Sequence, residues 1–339
     1  MRSVRIAVIK GDGIGPEVVD SALRVLKAAA AKYGLAIEPT EVEAGDTALS
    51  RYGEAMPSRY WGIIEASDAI LKGPVGESAG EVVVKLRRGL DLYANIRPAR
   101  VYPGVKALRE GVDLVIVREN TEDVYVRAEY MVTSDVAVAL RVISRRASER
   151  IAKVAFELAK SRRGKVTVVH KANVLTVTDG LFRSVAREVA SRYPNVKVDE
   201  MYIDSAVMDM VRRPQDFDVI LTTNLYGDIL SDIAAYVTGS IGLAPSANMG
   251  DSKAMFEPVH GAAFDIAGKG IANPTATILC TSWMLKWWGS RVGDGKYTTA
   301  GNAIEKAVLD TLSSGAKLTP DLGGNATTVE FADEVIKRI

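Results

Sequence analysis

Short β-branched runs alternate with longer amphipathic stretches along most of this chain, and that alternation constrains the fold more than any other feature. It specifies βαβ units around a largely parallel sheet, because a strand that returns in the same direction needs a crossover helix. Residues 4–9, 68–72, 112–118, 165–170, 197–203 and 217–224 read as strands. Ala147, Ile151, Val154, Ala155 and Leu158 recur at helical spacing and predict a helix over 145–160, with Glu149 and Lys153 as an i,i+4 pair. Residues 135–144 read as an additional strand, antiparallel and outside the main sheet. The C-terminal part reads as helices over 274–288, 300–313 and 327–337, where Trp283 and Trp287, one turn apart, pack against the core or a partner chain.

At 339 residues the chain exceeds the roughly 250–300 at which single cores stop growing, so two domains sharing a cleft are expected. Its 43 basic and 42 acidic side chains leave a net charge of +1, which argues against a nucleic-acid or anionic-membrane binder. No run approaches the ~18 apolar residues of a membrane span. The opening MRSVRIAVIKGDGIG has too short an apolar stretch for a secretory signal, and the lone Cys280 cannot form an intramolecular disulfide. A cytoplasmic location is expected. Two histidines, His170 and His260, exclude a His-rich metal site, so any metal relies on oxygen ligands.

Several segments carry groups suited to chemistry. GDGIGPE (residues 11–17) follows the first strand and opens a helix, as an anion-binding turn or a structural one; it lacks the sixth-position glycine of the Rossmann fingerprint. Arg87, Arg97 and Arg118 would, if they converge, suit a substrate with two or more carboxylates, since a planar guanidinium binds each one bidentately. In FDVILTTNLYGDILSDIAA, a helix beginning close to Asp228 puts Asp228 and Asp232 one turn apart on one face. Like charges at that spacing cost a few tenths of a kcal/mol unless a cation compensates. Mg²⁺ or Mn²⁺ suits such hard oxygen ligands, and Asp204 is a candidate third carboxylate. Lys171 and Asn173 follow the VTVVH strand, and a partly desolvated lysine beside other cations can act as a base. Tyr125 carries a phenol able to donate a proton. The loop over 260–274 is rich in small residues that permit close approach of a flat ligand, and Asp265 suits the two ribose hydroxyls of an adenosine.

Taken in order, GDGIGPE, LRRGLDLYANIRP, IVRENTEDVY, HKANV, YIDSAVMDMVR, NLYGDILSD, FEPVHGAAFDIAGKGIANPTA and LTPDLGG resemble the metal-dependent β-decarboxylating dehydrogenases: the isocitrate, 3-isopropylmalate, homoisocitrate and tartrate enzymes. The resemblance extends over essentially the whole chain. It implies an α/β, two-domain isopropylmalate-dehydrogenase-like fold with a large, mostly parallel twisted sheet that is not a Rossmann domain. The first domain would span 1–96 and 240–339, and the inserted second domain 97–239. It also implies a homodimer with shared active sites, with a higher oligomer left open. Arg87, Arg97 and Arg118 would hold substrate carboxylates, Asp228 and Asp232 would bind Mg²⁺ or Mn²⁺, and Lys171 and Asp204 would reach in from the neighbouring subunit. Asn173, Glu257, His260, Gly261, Ala262, Asp265, Ile266 and Asn273 would hold the dinucleotide. Asp265 and Ile266 stand where NADP-preferring relatives carry lysine and tyrosine, so NAD is expected. The implied reaction passes the hydroxyl proton to Lys171 and a hydride to the nicotinamide; CO₂ then leaves and Tyr125 protonates the enolate.

Within that family, substrate choice is expected to lie one turn before Arg87, at Val83 and Val84. Burial there favours an isopropyl branch by about 0.8 kcal/mol per methylene, whereas an extra carboxylate would lose its water without gaining a partner. The expected substrate is 3-isopropylmalate, hence a place in leucine biosynthesis. Isopropylmalate enzymes often read RELTGGIYFG where this chain has RENTEDVYVRA, and the GPVG of residues 73–76 is shared with isocitrate and homoisocitrate types, so homoisocitrate or isocitrate is the alternative. A reading of a different class is a catalytically silent nucleotide-binding regulatory homologue, which would keep the loops and lose acid/base or metal residues; all of these are present.

Overall fold

In a computed structural model, which describes residues 3–339, the β-branched runs assemble into one ten-stranded sheet and a separate hairpin. The strands are β1 (Val4–Ile9), β2 (Ile37–Glu41), β3 (Ala69–Lys72), β4 (Ala94–Arg100), β5 (Asp113–Glu119), β6 (Glu129–Thr133), β7 (Val136–Ala139), β8 (Lys165–His170), β9 (Lys197–Tyr202), β10 (Val219–Thr222), β11 (Pro245–Met249) and β12 (Ala254–Pro258). The large sheet runs β2-β1-β3-β12-β11-β4-β5-β10-β8-β9. Pairing is antiparallel where β11 meets β12 and β4, and where β4 meets β5. The other neighbours are parallel. One cross-strand row, Ile70–Met255–Asn248–Asn95–Arg118–Thr222, therefore links two oppositely directed parallel sets through the central strands.

Helices cover both faces: α1 (Gly15–Tyr33), α2 (Asp46–Tyr52), α3 (Trp61–Ala66), α4 (Ala79–Gly89), α5 (Arg145–Lys160), α6 (Thr178–Ala190), α7 (Ile203–Arg212), α8 (Asn224–Val237), α9 (Thr275–Val292), α10 (Gly295–Ser314) and α11 (Thr328–Arg338). The period-2 geometry of a strand explains the double cover. On β1, Val4, Ile6 and Val8 join Val18, Leu26, Ile278, Leu285 and Phe331 in one core; Ala7 and Ile9 join Ile64, Val82 and Leu86 in another. On β5, Val115 and Val117 pack with Ile151, Phe156 and Phe182, while Leu114 and Ile116 pack with Met210, Leu230 and Val237. Each large side chain so buried stabilises by roughly 1.5–3 kcal/mol, before ordering costs.

Local signals agree with the elements. Helix α5 spans the predicted residues, capped by the Ser144 hydroxyl accepting from Ala147 N–H, with Lys153 and Glu149 paired at 3.0 Å. Helix α11 opens on a capping box of Thr327 and Glu330. The extra antiparallel strand is β7, paired with β6 away from the main sheet. Trp283 and Trp287 are partly buried against the first core, and Trp287 meets Phe256 edge-on. Two strands are clearly shorter than expected: the 135–144 run is extended only over Val136–Ala139, and the 217–224 run only over Val219–Thr222. Helix α8 starts at Asn224 because its first turn is stitched to the loop after β5. Leu225 N–H donates to Asp123 at 3.0 Å and the Asn224 amide to Glu122 O at 3.1 Å. Among the described residues, no helix is long and apolar enough to cross a membrane.

Candidate active site

Helix α4, strands β4, β5 and β12, the turn after β5 and helix α8 converge on one cavity. Its walls include Val83, Val84, Arg87, Arg97, Arg118, Tyr125, Asp228, Glu257, His260 and Gly261. The three arginines thus meet, as their proposed task requires. Arg118 is 1% exposed, and its Nε donates to Asn224 Oδ1 at 2.9 Å. Its guanidinium also pairs with Asp228, while Arg97 reaches Asp228 at 3.1 Å and the Ser231 hydroxyl at 2.6 Å. Arg118 Nη2 and Arg97 Nε are buried without a partner among the described residues, a costly state that an incoming carboxylate would relieve.

Asp228 is the centre of this charge cluster. It is in the second turn of α8, so the expectation of a helix beginning close to it is corrected by one turn. Gly227, within α8, serves close packing. A Cβ there would lie 2.5–2.9 Å from the Arg118 stem, so the glycine lets the arginine pass against the helix. Burial alone would raise the Asp228 pKa, but Arg118, Arg97 and the Tyr125 hydroxyl outweigh it and hold the group at about 2. Tyr125 moves the other way, to about 12, chiefly through burial. It stays a phenol, able to donate. Arg97 falls to about 10 through burial and Arg118 repulsion.

Asp232 lies one turn beyond Asp228 and has no hydrogen-bond or ion-pair partner among the described residues. Desolvation and then the Asp228 charge raise its pKa. A paired, ionised carboxylate beside a destabilised one fits a divalent cation. Asp204 is elsewhere in the same chain: it lies in the first turn of α7 and pairs with Lys171 Nζ, and among the described residues no group of three acidic, His or Cys side chains is arranged to hold a metal ion. Lys171 therefore meets a carboxylate rather than the other cations expected around a depressed base. Asn173, two residues on, is exposed.

The loop over 260–274 runs from the cavity along the start of α1. Ile14 N–H donates to Ala262 O at 2.8 Å, and a Cβ on Gly13 would come within 2.0 Å of that oxygen. With Asp12 N–H given to Pro74 O and Gly15 N–H to Asp12 O, GDGIGPE is a structural turn supporting the loop, not an anion cradle. Asp265 is exposed and Ile266 packs partly on the first core. Asn273 is buried, donating to Asp321 at 3.0 Å. His260 is buried, which lowers its pKa, and its Nε2 has no partner among the described residues. An unpaired ring nitrogen at the mouth of a small-residue loop fits a polar, flat ligand such as a dinucleotide.

Sequence reasoning missed the floor of the site. Lys72 ends the apolar strand β3, is 3% exposed and contacts Glu257 Oε2 at 2.7 Å. Glu257 also takes Arg87 at 3.2 Å; despite burial, the two cations hold its pKa far below the usual carboxylate range. The signal was a lone lysine closing an otherwise apolar strand, since a buried lysine needs a partner.

A family model described as isocitrate/isopropylmalate dehydrogenase matches residues 5–335. The chain belongs to the isocitrate/isopropylmalate dehydrogenase family. Family members similar to it include a 3-isopropylmalate dehydrogenase of Saccharolobus solfataricus, 54% identical over 98% of both chains. An isocitrate/homoisocitrate dehydrogenase of Thermus thermophilus is 48% identical over 99% of this chain and 98% of its own. A crystal structure of isocitrate dehydrogenase from Methylococcus capsulatus superposes with a TM-score of 0.92 at 41% identity, covering 99% of both chains. The large, mostly parallel α/β sheet is the fold of this oxidoreductase family.

Proposed function

We propose that this chain catalyses the oxidative decarboxylation of 3-isopropylmalate to 4-methyl-2-oxopentanoate and CO₂, with NAD as oxidant and Mg²⁺ or Mn²⁺ as cofactor, in cytoplasmic leucine biosynthesis. The observation that carries this reading is a single cavity in which Arg87, Arg97 and Arg118 face the apolar wall of Val83 and Val84. The arginines suit the two carboxylates of a malate skeleton, and the valines suit an alkyl branch better than a third charge. The Saccharolobus relative carries the name of that activity.

Asp228 and Asp232 would hold the cation, which when bound supplies Lewis acidity at the hydroxyl end of the substrate. Tyr125, which lines the cavity, would donate a proton to C3 after CO₂ leaves. Glu257, His260, Gly261, Ala262, Asp265, Ile266, Asn273 and Asn173 would hold NAD. Lys171, as base, and Asp204, as the further ligand, would complete a neighbouring copy's site in a homodimer. Supporting that arrangement, Val174 and Val177 after Lys171, Met208 and Val211 on α7 with Asp204, and Ile229 and Tyr236 on α8 are exposed apolar side chains. The two-domain division, 1–96 with 240–339 against 97–239, belongs to the same reading.

The test is NADH formation with 3-isopropylmalate, isocitrate, homoisocitrate and malate, each with and without Mg²⁺ or Mn²⁺. The highest kcat/KM is expected for 3-isopropylmalate, dependent on the cation. Isocitrate ahead by more than about tenfold, ~1.4 kcal/mol of transition-state discrimination, would contradict the pocket argument. No NADH with any of them would favour the silent homologue.

A further inference from the structure

Behind Arg87 lies a polar hub that the reaction outlined above does not use. Asn248, on β11, is fully buried. Its Oδ1 accepts from Arg87 Nε at 3.0 Å, Asn95 Nδ2 at 3.1 Å and Asn120 Nδ2 at 2.8 Å. Its Nδ2 donates to Glu257 Oε1 at 2.8 Å and to Met255 O at 3.4 Å. Arg87 can only donate and an ionised Glu257 can only accept, so the amide is held one way round, oxygen to the arginine and nitrogen to the glutamate. Asparagine supplies both groups at once; an ionised aspartate or an apolar residue does not.

The consequence falls on Arg87. Its Nε is tied to Asn248 and its Nη2 to Glu257 at 3.2 Å, which leaves Nη1 for the cavity. The hub also joins the two parallel sets of the sheet. Asn95 is the registered partner of both Asn248 and Arg118, and Asn120 follows β5 directly. Asn95 and Asn120 each keep a buried Oδ1 without a partner among the described residues, and beside Asn248 their amides also donate to Ser246 Oγ at 2.7 Å and Leu92 O at 2.9 Å, respectively.

We propose that Asn248 is a positioning residue: it locks the Arg87 guanidinium so that its free edge meets a substrate carboxylate in fixed relation to Arg118. The inference rests on the reading of Arg87 as a substrate-carboxylate ligand. Asn248 itself touches no substrate.

The experiment uses the full chain with NAD and Mg²⁺. Wild-type turnover of 3-isopropylmalate, isocitrate, homoisocitrate and malate is measured first, and the best of them is the probe. In N248A, KM for that diacid is expected to rise about tenfold or more, and by clearly more than KM for NAD, because Arg87 loses its Nε partner whereas Glu257, which loses the Asn248 donor, keeps Lys72 and Arg87. N248D is isosteric and keeps the test valid if N248A does not fold. Its new oxygen would face Glu257 at the former 2.8 Å, with Lys72 and Arg87 against Glu257 and Arg97, Arg118 and Asp228 farther around the cavity. One shared proton restores the missing donor. The variant is therefore expected to approach wild-type kcat/KM at the acid end of the range and to fall away as pH rises, about tenfold beyond any wild-type change. KM values for diacid and NAD rising together in N248A, or a profile of N248D parallel to wild type, would overturn the positioning role. A wild type that turns over none of the diacids would overturn the functional reading beneath it instead.

Discussion

Two carboxylates, each paired with a basic side chain, live in different surroundings. Asp228 is enclosed by Arg97, Arg118 and Tyr125, and its pKa is drawn down to about 2. Asp204 meets Lys171 on an open surface flanked by exposed apolar side chains, where Val177 is 82% and Tyr236 71% exposed. The difference teaches what one chain encloses and what it leaves open. The arginine cluster is enclosed by its own chain; in the proposed homodimer, the lysine–aspartate pair would meet a second surface.

The largest effect should come from the enclosed half. Asp228→Asn is expected to cut kcat by at least about 10²-fold with an unchanged circular dichroism spectrum, since it removes the charge at the centre of the cluster. Retained activity would remove Asp228 from the mechanism. The open half is tested by mixing: Lys171→Ala and Asp228→Asn chains, each inactive alone, should recover about a quarter of wild-type activity when refolded together, because half the dimers carry one intact site of two. No recovery would place both residues in one chain's site. Lys72→Met breaks a buried pair and should lower unfolding free energy by about 3 kcal/mol, read by chemical denaturation.

Smaller effects sharpen the cavity itself. Val84→Ala should lower kcat/KM for 3-isopropylmalate about tenfold and leave malate nearly unchanged, on the scale of ~0.8 kcal/mol per lost methyl-sized contact. The least is a pH effect on stability. Burial lowers the pKa of both His170 and His260, so each binds its proton more readily in the unfolded chain. Their contribution is whole above the ordinary histidine value of about 6.5 and is lost as pH falls through the depressed folded values. In metal-free protein, His260→Asn should flatten the decline of Tm over that interval.

The sequence revealed what depends on local pattern. Period-2 runs located β1, β5 and β8, and the 3.6 period located α5 to the residue. Motif resemblance singled out the arginines, Tyr125 and Asp228 without showing that they meet. That required long-range pairing: Asn95 against both Asn248 and Arg118 is a register across three strands, which no local window contains. The start of α8 was misread because its first turn is held by Asp123 and Glu122, a hundred residues earlier in the chain. Lys72, Asn95 and Asn248 went unremarked for the same reason: a polar residue in an apolar strand shows its purpose only beside its partner.

A crystal of the protein grown with Mn²⁺ and 3-isopropylmalate, with diffraction recorded at the manganese absorption edge, tests the whole account most directly. The predicted map shows one anomalous peak between Asp228 and Asp232, the two carboxylates on Arg87, Arg97 and Arg118, and the isopropyl group against Val83 and Val84. A peak bound elsewhere, with the alkyl branch turned away from the valines, would contradict it.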